Sequence, residues 1–233
     1  MNFKDPFLIE DLFNNIAPNY DILNDLLSFG LHRVWKRKML DWLNPMPGEY
    51  WVDLCCGTGD IALNLASKVT PKGKVLGVDF AKKTLDIARD RHLKLESLPI
   101  SWMKLDACNT GLESHAYDGV TMAYGLRNLK SPYEGLKEIY RLLKPGAKAL
   151  ILDFNKMPEK SISHRMQKFY LRNIVVKLAS IYGLKEEYEY IENSLMFFPN
   201  GTQLESLAKK IGFSKVRHQS IILNQMLLLY LQA

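Results

Sequence analysis

The 233-residue chain is 47% hydrophobic and 24% charged, which suits one large domain, or one domain with an insertion, built on a sizeable core. Its formal charge of +6, from 31 basic and 25 acidic residues, is mild: it admits an anionic membrane surface or nucleic acid and compels neither. Three cysteines, Cys55, Cys56 and Cys108, are an odd number with two of them adjacent, which excludes a disulfide framework and predicts a reducing, cytoplasmic compartment.

The opening residues 1–6 lack the apolar core of a signal peptide, and no apolar run reaches membrane-spanning length. The longest candidate, residues 221–231, is interrupted by Asn224 and Gln225. The chain is therefore expected to be soluble or attached peripherally to a membrane. Residues 7–16 place Leu8, Leu12 and Ile16 at helical spacing before Pro18. A short helix with a stop near Gly30, then a helix over residues 32–43, complete an N-terminal helical cap over residues 1–45. Asn44-Pro45-Met46-Pro47-Gly48 breaks the chain before the main domain, residues 46–233.

In that domain, strands are predicted near 50–54, 74–79, 101–105, 117–123 and 147–153, with helices near 59–68, 81–94 and 133–143. Lys144-Pro145-Gly146 reads as a turn before the fifth strand. Such alternation predicts an α/β, doubly wound parallel sheet with helices on both faces. Residues 155–200 break the pattern as a helical insert. Residues 161–182 look helical, with Ile162, Met166, Phe169, Tyr170, Ile174 and Leu178 at apolar spacing and Arg165, Lys168 and Arg172 on another face. The commoner reading of such a helix is core packing with a solvated basic face; a lid over a greasy substrate, resting on a bilayer, is the sharper one. A last helix over residues 203–211 stops at Gly212. Residues 214–220 and 221–231 can close the sheet as a hairpin, making seven strands with one antiparallel.

The chemistry gathers at Tyr50-Trp51-Val52-Asp53-Leu54-Cys55-Cys56-Gly57-Thr58-Gly59-Asp60: a buried strand, two glycines one residue apart, then a helix. Strand, glycine turn and helix open a nucleotide-binding sheet, with glycine where a ligand presses on bare backbone. The spacing Gly57-x-Gly59-x-x-Ala62 fits both a dinucleotide and S-adenosylmethionine (SAM). The acids favour SAM. Asp53, Asp79 and Asp106 each end a strand, and Asp53 beside the turn would repel a pyrophosphate. SAM instead carries an ammonium and a sulfonium. Asp53 can attract that cationic end, Asp79 can take both ribose hydroxyls and Asp106 can accept from the adenine amine. The plainer alternative is that each Asp simply ends a strand. Arg127 and Asn128 follow the fourth strand directly, on the edge where ligands bind, or they cap the next helix. Tyr20, in the cap, is a candidate to lie near the reacting methyl. No CxxC or His cluster suggests a metal.

With these residues in place, the chain resembles the UbiE/MenG family of quinone-ring C-methyltransferases over nearly its whole length. Three stretches carry the likeness: Tyr20-Asp21-Ile22-Leu23-Asn24-Asp25 continuing to Ser28-Phe29-Gly30-Leu31-His32-Arg33-Val34-Trp35-Lys36; Asp53-Leu54-Cys55-Cys56-Gly57-Thr58-Gly59-Asp60; and Tyr124-Gly125-Leu126-Arg127-Asn128. The middle stretch is shared in outline by many SAM enzymes, and the outer two are more specific. The resemblance implies a Rossmann-like class I SAM-dependent methyltransferase, with Thr58, Asp79, Asp106 and Ala107 contacting SAM. The double cysteine is similar to the photosynthetic branch, whose substrate is demethylphylloquinol (2-phytyl-1,4-naphthoquinol). Menaquinone and ubiquinone or plastoquinone rings are the alternatives. Where many members have a glycine pair before the last strand, this chain has Ile222-Leu223-Asn224-Gln225.

The resemblance further implies methyl transfer to a ring carbon of a prenylated naphthoquinol, in its reduced form because a quinone is too electron-poor to attack. Arg127 is then the candidate to stabilise a developing oxyanion, with Asn128 fixing the oxygen and Tyr20 contacting the ring. Arginine stays protonated, so a bound water takes the proton. A peripheral membrane contact and a homodimer are compatible partners, and nucleic acid is not expected. The rivals are an NAD-linked oxidoreductase, opposed by Asp53; an RNA methyltransferase, suggested only by net charge and lacking a basic stripe with interleaved aromatics; and a SAM-binding protein without turnover.

Overall fold

The computed structural model describes residues 6–20, 24–25, 28, 30–95, 98–157, 161–181, 183, 185–221 and 224–233. The short helix expected between residues 20 and 29 falls largely outside them. Helix α1 (Pro6–Ile16) and α2 (Leu31–Leu43) precede β1 (Tyr50–Leu54), α3 (Asp60–Val69), β2 (Lys74–Asp79), α4 (Lys82–Leu93), β3 (Ile100–Lys104) and β4 (Tyr117–Ala123). Then come α5 (Pro132–Leu142), β5 (Leu143–Phe154), α6 (Ile162–Tyr170), α7 (Val176–Ile181), α8 (Lys185–Met196), α9 (Gly201–Ile211), β6 (Lys215–Ile221) and β7 (Met226–Gln232).

The strands form one seven-stranded sheet in the order β3-β2-β1-β4-β5-β7-β6. All pairs from β3 to β5 are parallel, and β7 runs antiparallel to both of its neighbours. Both faces are covered, so the central strands read as near-continuous apolar runs. On β5 and β7 the alternation is plain. Ala149, Ile151, Leu227, Leu229 and Leu231 face the helices α5 and α9, whereas Leu150, Leu152, Met226 and Leu228 share the other core with α2 and α3. The chain winds outward from β1 to β3, then returns to the opposite side of β1 as β4. The carboxyl ends of β1 and β4 therefore flank the switch in winding, where a crevice opens.

Two tryptophans set the spacing of this sheet. Trp51 on β1 stands in register with Gly119 on β4, and Trp102 on β3 with Gly77 on β2. A Cβ on Gly119 would lie 2.2 Å from the Trp51 ring, and one on Gly77 would lie 2.3 Å from the Trp102 ring. Each ring thus lies across the neighbouring strand where no side chain stands. Trp102 reaches one step further, because a Cβ on Gly59 at the start of α3 would lie 2.7 Å from it.

Three expectations are corrected. The residues Lys144-Pro145-Gly146 are not a turn ahead of β5. They lie inside it as an irregularity, since Tyr117 pairs with Leu143 while Gly119 pairs with Lys148, and Gly146 takes φ +78° within it. Secondly, β6 runs on through Ile221 and β7 starts only at Met226, because Asn224 at φ +68° belongs to the connection. Thirdly, the insert helix does not pack its apolar stripe on the core. It runs as α6, a π-helical turn at Leu171–Val175 and α7. Ile162, Met166 and Phe169 are exposed, while among its described side chains the buried ones are Gln167 and Leu171. The basic side stays exposed and pairs along the surface with α8: Arg172 makes a two-pronged pair with Glu192, and Lys168 lies 3.7 Å from it. Helix α8 itself had no clear signal, because Lys185-Glu186-Glu187-Tyr188-Glu189 masks its periodicity with charge.

Gly119→Ala is expected to force the Trp51 ring off its position and cost about 1–3 kcal/mol, the usual range for overpacking. In a chain of this size that lowers the midpoint by roughly 2–12 °C. A thermal melt unchanged from wild type would show that the ring yields freely.

Candidate active site

A cleft enclosing about 840 Å³ up to its open mouth lies beyond the carboxyl ends of β1, β2 and β4. Ile9 and Phe13 of α1, Leu105, Tyr124 and Leu129 give it apolar walls, and Tyr20, Gly57, Asp79, Asp106, Ala107 and Asn128 also line it. A smaller chamber of about 290 Å³ adjoins it, lined by Lys36, Asp53, Thr58 and Asp60 among others. Tyr20, Cys55, Gly57 and Ala123 border both. Tyr20 is half-buried at the border, and burial raises its hydroxyl pKa, with Lys36 and Arg127 pulling the other way.

The backbone at the head of this site is unusual. Cys55 after β1 has φ +53° and Tyr124 after β4 has φ +60°, a left-handed conformation that non-glycine residues rarely adopt. The two neighbouring strands turn sharply at one level. Gly125 follows at the close approach, where an added Cβ would lie 2.5 Å from that of Cys55. Gly57, at φ +55°, needs glycine for its backbone and borders both cavities. Gly59 stands apart from both, and its missing side chain makes room for Trp102 rather than for a ligand.

The three predicted acids differ in setting. Asp53 is buried, and its Oδ1 accepts from Thr121 Oγ1 at 2.7 Å, while Oδ2 has no partner. Burial raises its carboxyl pKa to about 7, against the pull of Thr121 and Lys36. Asp79 accepts from the backbone N–H groups of Gly57 (2.8 Å) and Ala81 (2.9 Å), and so ties the glycine turn to β2. Burial raises its pKa as well. Asp106 accepts from the N–H of Cys108 at 2.8 Å and borders the large cleft beside Ala107. Thr58 is buried, and both its carbonyl (3.0 Å) and Oγ1 (3.1 Å) accept from Arg91 Nη1.

Arg127 and Asn128 form a single 3-10 turn after β4, both buried. Arg127 does not line the cleft directly. Its Nη1 donates to Asp153 Oδ1 and to the Tyr124 carbonyl, each at 2.7 Å, and its own N–H donates to Asp153 Oδ2 at 3.0 Å. The guanidinium lies over the Phe154 ring, 5.0 Å from its centre. Asn128 borders the cleft, with Nδ2 donating to the same Tyr124 carbonyl at 3.0 Å. Arg127 Nε and Asn128 Oδ1 are buried without a partner, as is the hydroxyl of Tyr190 on α8, whose pKa burial raises against the pull of Arg127.

Sequence reasoning passed over Lys36, Asp60, Arg91, Asp153 and Tyr190. Asp60 is held by Lys36 at 2.9 Å on one oxygen and by Arg91 at 2.7 Å on the other. Burial opposes its ionisation, yet these two cations keep its carboxyl far below the usual range. Lys36 and Asp60 lie in stretches that carry the family likeness, which was the available signal; Arg91, Asp153 and Tyr190 come together with the site only through the fold.

These features suit SAM. The partnerless Asp53 oxygen answers a cation, the glycine turn admits a ligand, and a second carboxylate ends β2. Comparison with known proteins decides the matter: the ubiE/COQ5 methyltransferase family matches residues 1–225. The chain belongs to that family. It is an enzyme, a SAM-dependent methyltransferase. It is 45% identical over 213 residues to 2-phytyl-1,4-beta-naphthoquinone methyltransferase, chloroplastic, from Arabidopsis thaliana, covering 90% of this chain and 81% of that one. It is 42% identical over 234 residues to 2-phytyl-1,4-naphtoquinone methyltransferase from Synechococcus elongatus, covering all of both chains. Among solved structures, a SAM-dependent methyltransferase from Aquifex aeolicus shares the fold, with TM-score 0.62, 20% identity and 98% of each chain covered. A Haemonchus contortus phosphoethanolamine N-methyltransferase 2 in complex with SAM matches with TM-score 0.62 and 24% identity over 80% of this chain and 38% of that one. The methyltransferase thus has the class I fold expected, and no helix among the described residues is long and apolar enough to cross a membrane.

The raised Asp53 pKa carries a sign. Folding takes up a proton there, so its contribution to stability is complete below the unfolded value of about 3.9 and is lost as pH rises through about 7. Asn at this position cannot ionise. The melting midpoint of Asp53→Asn is expected to climb relative to wild type between pH 5.5 and 8 in ligand-free protein. A gap that stays flat across that range would mean the carboxyl is ionised throughout.

Proposed function

We propose that the methyltransferase methylates a ring carbon of a prenylated demethylnaphthoquinol, 2-phytyl-1,4-naphthoquinol, the final step of phylloquinone biosynthesis. The named relatives support this substrate. The observation that carries it is the pairing of an apolar cleft with Asn128 on its wall, whose buried Oδ1 lacks a partner, and with Arg127 directly behind, bonded to the same Tyr124 carbonyl and with Nε left over. A tailed quinol brings the matching parts: a greasy chain for the cleft and oxygens for the unpaired groups.

Thr58, Asp79, Asp106 and Ala107 would hold SAM, with Asp53 and the Gly57 turn at its methionine end. When bound, SAM supplies an electrophilic methyl group. The chain's own task is positioning and charge. Arg127, oriented by Asp153, stabilises negative charge growing on a quinol oxygen, and Asn128 fixes a quinol hydroxyl, whose O–H its Oδ1 accepts. Tyr20, at the border of the two cavities, contacts the ring and narrows the passage between them. Arg127 stays protonated and cannot act as base, so the proton that the ring carbon exchanges for methyl leaves to water. The outward stripe of Ile162, Met166 and Phe169 supports a peripheral contact with the membrane that carries the tail.

With isotope-labelled SAM, reduced naphthoquinols are expected to acquire a labelled ring C-methyl by mass spectrometry. Benzoquinols are expected to react less and oxidised naphthoquinone not at all. Asn128→Ala and Arg127→Lys are each expected to lower kcat by about 10²–10³-fold with SAM affinity unchanged in calorimetric titration. Normal turnover in either variant would remove that residue from its role.

A further inference from the structure

Helix α8 brings one more polar group to the far side of the cleft. It packs on the 3-10 turn Leu126–Asn128, which carries Arg127 and Asn128. Tyr190 on α8 is only 8% exposed, and its hydroxyl has no partner. Arg127 and Asp153 both act on its ionisation, so it stands near their ion pair. Among the described residues, four buried side-chain atoms lack a partner. Three of them, Arg127 Nε, Asn128 Oδ1 and the Tyr190 hydroxyl, belong to this turn or to the helix lying on it. One orphaned polar atom is a tolerable defect, whereas three in one place are costly unless a ligand answers them. They are a donor, an acceptor and a hydroxyl that can be either. Burial raises the Tyr190 pKa, so the phenol keeps its proton and can donate.

We infer that Tyr190 is a further catalytic residue, whose hydroxyl donates to the quinol oxygen that Arg127 stabilises. The chemistry of the ring names that oxygen. A hydroxyl feeds electron density only to the carbons ortho and para to it, so the hydroxyl beside the unsubstituted ring carbon is the one that activates this carbon toward methylation. As it loses its proton it changes from donor and acceptor to acceptor only. Asn128 Oδ1 cannot serve it then, and Arg127 Nε and Tyr190 are the unused donors among the described residues of this turn and helix. Neither lines the cleft in the ligand-free protein, so the oxygen reaches them as α8 and the turn part around it. Both are closed off from solvent, and a bond to either forms without competition from water. The insert is thereby part of the active site and not only a cover for the tail. This role deepens the quinol reading of the cleft and rests on it.

The test compares wild type with Tyr190→Phe, which removes only the hydroxyl. Protein saturated with S-adenosylhomocysteine, so that no methyl moves, is titrated calorimetrically without oxygen. The ligands are 2-dimethylallyl-1,4-naphthoquinol and the two naphthols that each lack one of its hydroxyls. Tyr190→Phe is expected to bind the quinol about 3- to 10-fold more weakly, the range for one neutral hydrogen bond. It is expected to lose the same factor toward the naphthol that keeps the hydroxyl beside the free ring carbon, and to bind the other naphthol as wild type does. With SAM in place, its kcat on the quinol is expected to fall about 10- to 100-fold, the range when the partner is charged. The ligand-free variant is expected to melt at or above the wild-type midpoint, because a buried hydroxyl without a partner stabilises nothing there. Equal weakening toward all three ligands would overturn the inference, since Tyr190 would then act without touching the ring oxygen. So would unchanged binding and turnover. A lower midpoint would overturn it too, because the hydroxyl would already be used within the protein. Wild type that bound none of the three would instead bring down the quinol reading itself.

Discussion

A carboxylate enclosed between two parallel strands, with one oxygen bonded and the other unanswered, is the constraint on which this site depends. Water satisfies ionised Asp cheaply, whereas a protein interior does not, so a buried carboxyl must share a proton or meet a cation. Thr121, directly across from Asp53 in the β1–β4 pairing, settles one oxygen. The other is left for a ligand. The neighbouring elements follow from this. Asp60 cannot add a second uncompensated charge nearby, and it is neutralised twice, by cations from two different helices.

A second buried ion pair governs the far side of the cleft. Arg127 and Asp153 sit at the ends of adjacent strands β4 and β5, joined by side-chain and backbone bonds at once. Such a pair contributes little net stability but is costly to break, so it serves mainly to fix geometry. Its consequence is that the guanidinium is aimed, with Nε left over, rather than free to sample rotamers. The left-handed turns at Cys55 and Tyr124 serve the same purpose on the backbone, bringing two strand ends close at the switch in winding.

The frame was legible because parallel strands buried on both faces read as mostly apolar runs, as in residues 75–78 and in residues 119–123, where Thr121 is the one polar side chain, and because glycine and proline punctuate the chain between them. The acids that end β1, β2 and β3 could be placed from spacing alone. The irregular start of β5 could not, since Pro145 and Gly146 carry a turn's chemistry even when the pairing resumes across them. The exposed stripe on α6 was misjudged for a related reason. Periodicity shows that one face is apolar, not which face meets the core, and here the link from α6 to α8 is made at the surface, by Arg172 and Lys168 to Glu192. The partners of Asp60 and Arg127 are separated in sequence by 24 residues or more in each direction that matters, and only the topology joins them.

Trp102 occupies the space that side chains at Gly59 and Gly77 would need, one in the turn before α3 and the other on β2. These three positions therefore form one unit of inheritance. A smaller residue in place of the indole would relax the demand for glycine at Gly77, while Gly59, at φ +86°, would still need glycine for its backbone; any lineage that enlarged either position would first have to trim the ring. The edge strand β3, remote from the chemistry, in this way holds a veto over how the cofactor turn can evolve.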